Sequence, residues 1–131
     1  MDSNPQSAII QQHSQSPRNC GELAHPDGVG KAGNHGCDSL TVYIRVKDDC
    51  ISELAFKCVG CAPAVACGSI LTELARGRHL DDAAEISGEV IAKALGGLDK
   101  DNQHCAQLAA EALANAIWSY LARTIERNFG D

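Results

Sequence analysis

The sequence predicts an α+β domain: a small antiparallel sheet of about three strands, helices packed on one face, and a long C-terminal helix. Three observations carry this. Leu40, Val42, Ile44 and Val46 alternate with Thr41, Tyr43 and Arg45, the period of a half-buried strand. After Gly60 the apolar period becomes helical. The 131 residues suit one domain, and 44% hydrophobic with 21% charged residues excludes disorder throughout. With only 4% aromatic residues, the core must rest on Leu, Ile, Val and Ala.

Residues 1–16 are rich in Ser and Gln, with one apolar patch at Ala8, Ile9 and Ile10. They read as a flexible arm, frayed or weakly helical, ahead of a domain over residues 17–131. Gly21 to Gly36 contains Pro26, Gly28, Gly30 and Gly33 and reads as a loop with room for one short strand. The strand from Leu40 to Val46 turns at Lys47–Cys50 and returns from Ile51 to Val59, an antiparallel hairpin.

Beyond it, Ala64, Cys67, Gly68, Leu71, Leu74 and Ala75 share a helical face, and Gly77 marks the stop. Asp81 or Asp82 caps a short helix. Ser87 caps another, which passes Val90, Ile91 and Leu95 and ends at Gly96-Gly97. The last helix starts near His104 and turns Leu108, Ala112, Leu113, Ala116, Ile117, Tyr120 and Leu121 inward.

The net charge of −6 argues against a nucleic-acid partner, whose backbone calls for a basic stripe. Seven cysteines cannot all pair within one chain. Met1 to Gln12 has neither a basic n-region nor an apolar h-region, so no signal peptide is expected. No run approaches the ~18 apolar residues of a membrane span. Together these features point to a reducing, cytoplasmic compartment, where clustered cysteines suggest metal or sulfur chemistry.

Position separates the seven. Cys58 shares a strand face with Leu54 and Phe56, and Cys67 lies on an apolar helix face. Both read as core thiols. Cys50 sits in a turn beside Asp48 and Asp49 and reads as an inert surface thiol, while Cys20 stays unassigned. Three remain. Cys37 closes the Gly-rich loop with Asp38 beside it; Cys61 stands where strand hands over to helix; Cys105 opens the final helix after His104. Helix N-termini favour thiolates, which are both nucleophiles and metal ligands. Asp38 and His104 add oxygen and nitrogen donors. Taken singly, Asp38 could only brace its loop and His104 only cap its helix. As a set, the five read as a metal site.

Simpler motifs fit less well. Cys58-Val-Gly-Cys61 is a lone C-x-x-C, and a zinc ribbon needs a second. A thioredoxin-like redox pair also sits at a strand-to-helix turn, but that fold needs a parallel crossover strand, and the later segments read helical.

Several segments resemble one family. Ser-Pro-Arg-Asn-Cys-Gly-Glu-Leu (16–23), Asp-Gly-Val-Gly-Lys-Ala-Gly-Asn (27–34) and Phe-Lys-Cys-Val-Gly-Cys-Ala-Pro-Ala-Val-Ala-Cys-Gly-Ser (56–69) are similar to the IscU/NifU-type scaffolds of iron–sulfur cluster assembly. Thr-Glu-Leu (72–74), Leu-Gly-Gly-Leu (95–98) and His-Cys (104–105) continue the match. The resemblance implies cluster ligands at Cys37, Cys61 and Cys105, with Asp38 or His104 as the fourth. It implies a transient [2Fe–2S] cluster built from iron and from persulfide sulfur supplied by a cysteine desulfurase. The cluster then passes to acceptor apo-proteins. It further implies zinc at the same ligands in the apo form, and a homodimer.

Such a scaffold is not an enzyme in the strict sense. Its chemistry is controlled lability, with three thiolates holding iron and a carboxylate or imidazole that is easier to displace. Two alternatives belong to other classes. In a zinc-dependent sulfur acceptor of the SufU type, Cys61 or Cys105 would carry a persulfide and no cluster would form. Those relatives carry an insertion between the second and third cysteines and lack the His, whereas His104 is present here. In a metal-stabilised interaction module, zinc would supply folding energy alone.

Overall fold

A computed structural model of the chain describes residues 5–33 and 39–129. In order, the elements are α1 (Pro5–Gln15), β1 (Gly28–Gly33), β2 (Ser39–Lys47), β3 (Cys50–Val59), α2 (Ala62–Ala75), α3 (Leu80–Ala83) and α4 (Gly88–Ala94). A 3-10 turn (Lys100–Asn102) then leads into α5 (Gln103–Phe129). The strands form one three-stranded antiparallel sheet in the order β1-β2-β3. This is the expected α+β architecture, with the long helix last.

The hairpin follows from local chemistry. Lys47 faces Cys50 across a two-residue turn, and Asp48 and Asp49 both have positive φ, 53° and 62°. A turn of that hand matches the twist of the strands it joins, and Asp tolerates the left-handed region. Leu40, Val42 and Ile44 on β2 are fully buried, while Arg45 is exposed and donates to Glu53 Oε2 at 3.1 Å. Alternation therefore sends one face to the helices and the other outward.

α5 and α2 cover the inner face, where Phe56, Leu40, Ile44, Leu71 and Leu113 are among the largest buried side chains. Each contributes roughly 1.5–3 kcal/mol of burial. α5 lies so close to β1 that a Cβ at Gly30 would overlap the backbone of Ala112 and Ala116. The Gly-rich segment, read as mainly loop, is a strand at this point because glycine lets helix and strand backbones meet.

One local expectation is corrected and another is sharpened. The cap of α3 is His79, whose side chain accepts from the Asp81 N–H; Asp81 and Asp82 lie in the first turn instead. Residues 5–15, read as part of a frayed or weakly helical arm, form a helix that docks on α2. His13 is buried and its Nδ1 lies 2.7 Å from Ser69 Oγ, which also accepts from the Arg18 N–H at 2.8 Å. That long-range polar clasp, 56 residues apart in sequence, leaves no trace in a local apolar pattern. The helical spacing of α2, the Ser87 cap of α4 and the start of α5 agree with expectation, but Leu121, expected to turn inward on α5, is exposed.

Candidate functional site

Cys61 is the N-cap of α2, with φ −80° and ψ 171°, and its carbonyl accepts from the N–H groups of Ala64 and Val65. Pro63 follows in the first turn, where a missing N–H costs nothing. No side-chain hydrogen bond caps this helix, and Cys61 is exposed. Val59, two residues earlier, is 72% exposed, so β3 ends in an open lip before the helix begins. A thiolate at Cys61 would face the positive end of the helix dipole.

Cys105 and His104 occupy the first turn of α5. Cys105 was expected to open this helix; it is the third residue, and the 3-10 turn precedes it. Its side chain is fully buried while His104 is exposed. The thiol Sγ nonetheless lies 3.6 Å from His104 Nε2. A thiol and an imidazole at that separation present two soft-to-borderline donors to one metal ion. Cys61 is exposed at the start of its helix, whereas Cys105 is helical and covered, because it shares a face with Ala109 and Ala112.

Cys37 and Asp38 lie outside the described residues. Ser39, which follows them, pairs with Val59, and Gly33 pairs with Ser39 across β1 and β2. The chain thus enters β2 at the same sheet end where β3 hands over to α2. Among the described residues, no three His, Cys, Asp or Glu side chains form a metal-holding group. Of the five residues expected to form a metal site, the described ones are Cys61 at the N-cap of α2 and the His104–Cys105 pair in the first turn of α5.

The remaining cysteines separate by environment. Cys67 is fully buried, as expected for a core thiol, and Cys58 is half-buried against the core. Cys50 is half-buried as the first residue of β3 and bridges to His79, so it is a strand residue more than a turn residue. Cys20 is exposed and sits beside Phe56 at the β3 edge. The named strands pair antiparallel, which removes the parallel crossover that a thioredoxin-like reading requires. No helix among the described residues is long and apolar enough to cross a membrane.

A family model described as the NifU-like N terminal domain matches residues 6–127. The chain is 46% identical over 112 residues to iron–sulfur cluster assembly scaffold protein IscU 1 of Archaeoglobus fulgidus, covering 85% of this chain and 73% of that protein. It is 36% identical over 114 residues to iron–sulfur cluster assembly scaffold protein IscU of Aquifex aeolicus, with the same coverage of 85% and 73%. Among solved structures, the N-terminal part of a nitrogen-fixing NifU-like protein from Brucella abortus superposes with a TM-score of 0.69. That match has 21% sequence identity and covers 88% of this chain and 93% of that one, a likeness of fold.

Proposed function

The chain belongs to the NifU-like N-terminal domain family, and on that footing we propose that it is a scaffold that builds a transient [2Fe–2S] cluster and passes it to apo-proteins. Its relatives are named as iron–sulfur cluster assembly scaffolds, which supports the coarser role. The ligands in this reading are Cys37, Cys61 and Cys105, with Asp38 or His104 in the fourth position. The observation that carries it is the His104 imidazole 3.6 Å from the Cys105 thiol at one end of α5.

The chemistry is that of a loading site. A cysteine desulfurase delivers sulfur as persulfide to an accessible thiolate, and Cys61 at its helix N-terminus is accessible. Ferrous iron supplies half of the electrons that two persulfide sulfurs need to become bridging sulfides, and an added electron donor supplies the rest. Three thiolates hold the product, and a carboxylate or imidazole at the fourth corner yields to the thiol of an acceptor. The same donors suit zinc in the cluster-free protein.

Transfer is the discriminating property. The loaded protein is mixed with an apo-ferredoxin while an iron chelator is present in excess. A scaffold fills the acceptor in spite of the chelator, since the cluster moves by ligand exchange between the two proteins. Filling that stops when the chelator is added means that iron was released into solution, and the proposal fails. A protein that gains persulfide and retains zinc, without sulfide, is instead a sulfur acceptor.

A further inference from the structure

Cys58 has the strand parity of a core residue: it alternates in step with Leu54 and Phe56, on the face of β3 that the helices cover. Phe56 is fully buried, and so is Leu40, the β2 residue directly across from Cys58. Cys58 itself is only half-buried and packs against the core from its rim, unlike Cys67, which is fully covered. It is the last inward position of β3, which ends at the exposed Val59. The chain then bends at Gly60 and brings Cys61 to the N-cap of α2. Two thiols thus flank one bend, the first at the edge of the core and the second exposed.

Resting on the reading of this chain as a cluster scaffold loaded through Cys61, we propose that Cys58 releases sulfide from the persulfide that Cys61 carries. The Cys58 thiolate attacks the Sγ atom of Cys61. A Cys58–Cys61 disulfide forms, the S–S bond of the persulfide breaks, and its outer sulfur leaves as hydrosulfide. Thiol plus persulfide becomes disulfide plus hydrogen sulfide, so sulfur and hydrogen balance. Counted as a thiol carrying neutral sulfur, the persulfide gives up that sulfur with two added electrons, and the two cysteines lose them. These are the electrons that two ferrous ions leave unsupplied in a [2Fe–2S] cluster, so one disulfide forms per cluster. A dithiol reductant then opens the disulfide by exchange and returns Cys61 as a ligand.

The local structure suits this step. A disulfide needs Cα atoms about 4.4–6.8 Å apart, and a change of direction between residues three apart brings them toward that range. Attack from within the chain is a unimolecular step, with the advantage that a held nucleophile has over one in solution. Exposure of Val59 and Cys61 leaves the pair open to the reductant. The antiparallel sheet rules out a thioredoxin-like fold, but thiol–disulfide exchange belongs to the two thiols and not to the fold that carries them.

The full chain is charged anaerobically by a cysteine desulfurase with one equivalent of cysteine, without iron or added thiol. Sulfide is followed by colorimetry and cysteine pairing by peptide mass. The wild-type chain should release sulfide and acquire a Cys58–Cys61 disulfide. Cys58→Ser and Cys58→Ala should hold the persulfide on Cys61 and release sulfide at least about tenfold more slowly. Cys50→Ser should behave as wild type. Release from Cys58→Ser at the wild-type rate overturns the proposal, as does a disulfide joining Cys61 to any other cysteine. Ferrous iron and excess dithiol reductant are then added, which should restore cluster building to Cys58→Ser, since the reductant replaces the lost thiol. A wild-type chain that keeps its persulfide, yet builds a cluster once reductant is present, overturns this step and leaves the scaffold reading standing. One that releases sulfide through the disulfide and then builds no cluster supports the step and overturns the scaffold reading.

Discussion

Cys105 and His104 are neighbours in the chain, one fully buried and the other exposed, yet their Sγ and Nε2 atoms lie 3.6 Å apart. Adjacent helical residues point in different directions and do not face each other. The imidazole must therefore fold back over the edge of the covered thiol. A buried thiol thus has an exposed imidazole at its edge.

This arrangement separates the two residues by experiment. His104→Ala removes an exposed side chain and should change folding stability by no more than about 0.5 kcal/mol. Cluster retention should suffer far more, with a chelator stripping iron on the order of 10-fold faster, as for other groups close around a metal. Denaturant titration and absorbance-monitored stripping read the two effects. Equal stripping rates would remove His104 from the site.

The cysteine series tests the ligand assignment. Cys37→Ser, Cys61→Ser and Cys105→Ser should each abolish a stable cluster, while Cys20→Ser and Cys50→Ser should not. Visible absorbance after anaerobic reconstitution decides this. Full retention after any of the first three changes would shift the assignment to Cys58 or Cys67.

The docking of α1 depends on one hydroxyl. Ser69→Ala leaves both the Arg18 N–H and the His13 ring without their partner, at a cost of about 1–3 kcal/mol. Amide exchange should speed up in α1 more than in β2. Uniform acceleration across the chain would instead mean that α1 and the core unfold as one unit.

Close contact between β1 and α5 makes Gly30 irreplaceable. Gly30→Ala drives a methyl group into the backbone of Ala112 and Ala116. Backbone cannot rotate away as a side chain can, so the loss should be at least about 1–3 kcal/mol. The midpoint of urea unfolding reads it, and an unchanged midpoint would show that α5 is free to shift.

Much of this architecture was legible because it is written in local periods. Leu40, Val42 and Ile44 announce their strand by alternation, and Ser87 and Gly96-Gly97 bracket α4 with cap chemistry. The lone His13 carries no such signal, since its partner Ser69 lies on a helix whose hydroxyl reads as an interruption of the apolar face. The cap at His79 was missed because the neighbouring Asp81 and Asp82 are stronger formers by type. At the site, position along helices placed Cys61 and the His104–Cys105 pair, but could not reveal that Cys105 is covered. Burial depends on the sheet and helices packed against it, which no window of sequence contains.

The most direct measurement is the iron and acid-labile sulfide content of the full chain after anaerobic incubation with a cysteine desulfurase, cysteine, ferrous iron and a thiol reductant. The account predicts iron and sulfide in near-equal amounts, with visible charge-transfer bands that are lost in Cys61→Ser and Cys105→Ser. Zinc retained without sulfide, or iron bound without sulfide and indifferent to those two substitutions, would contradict it.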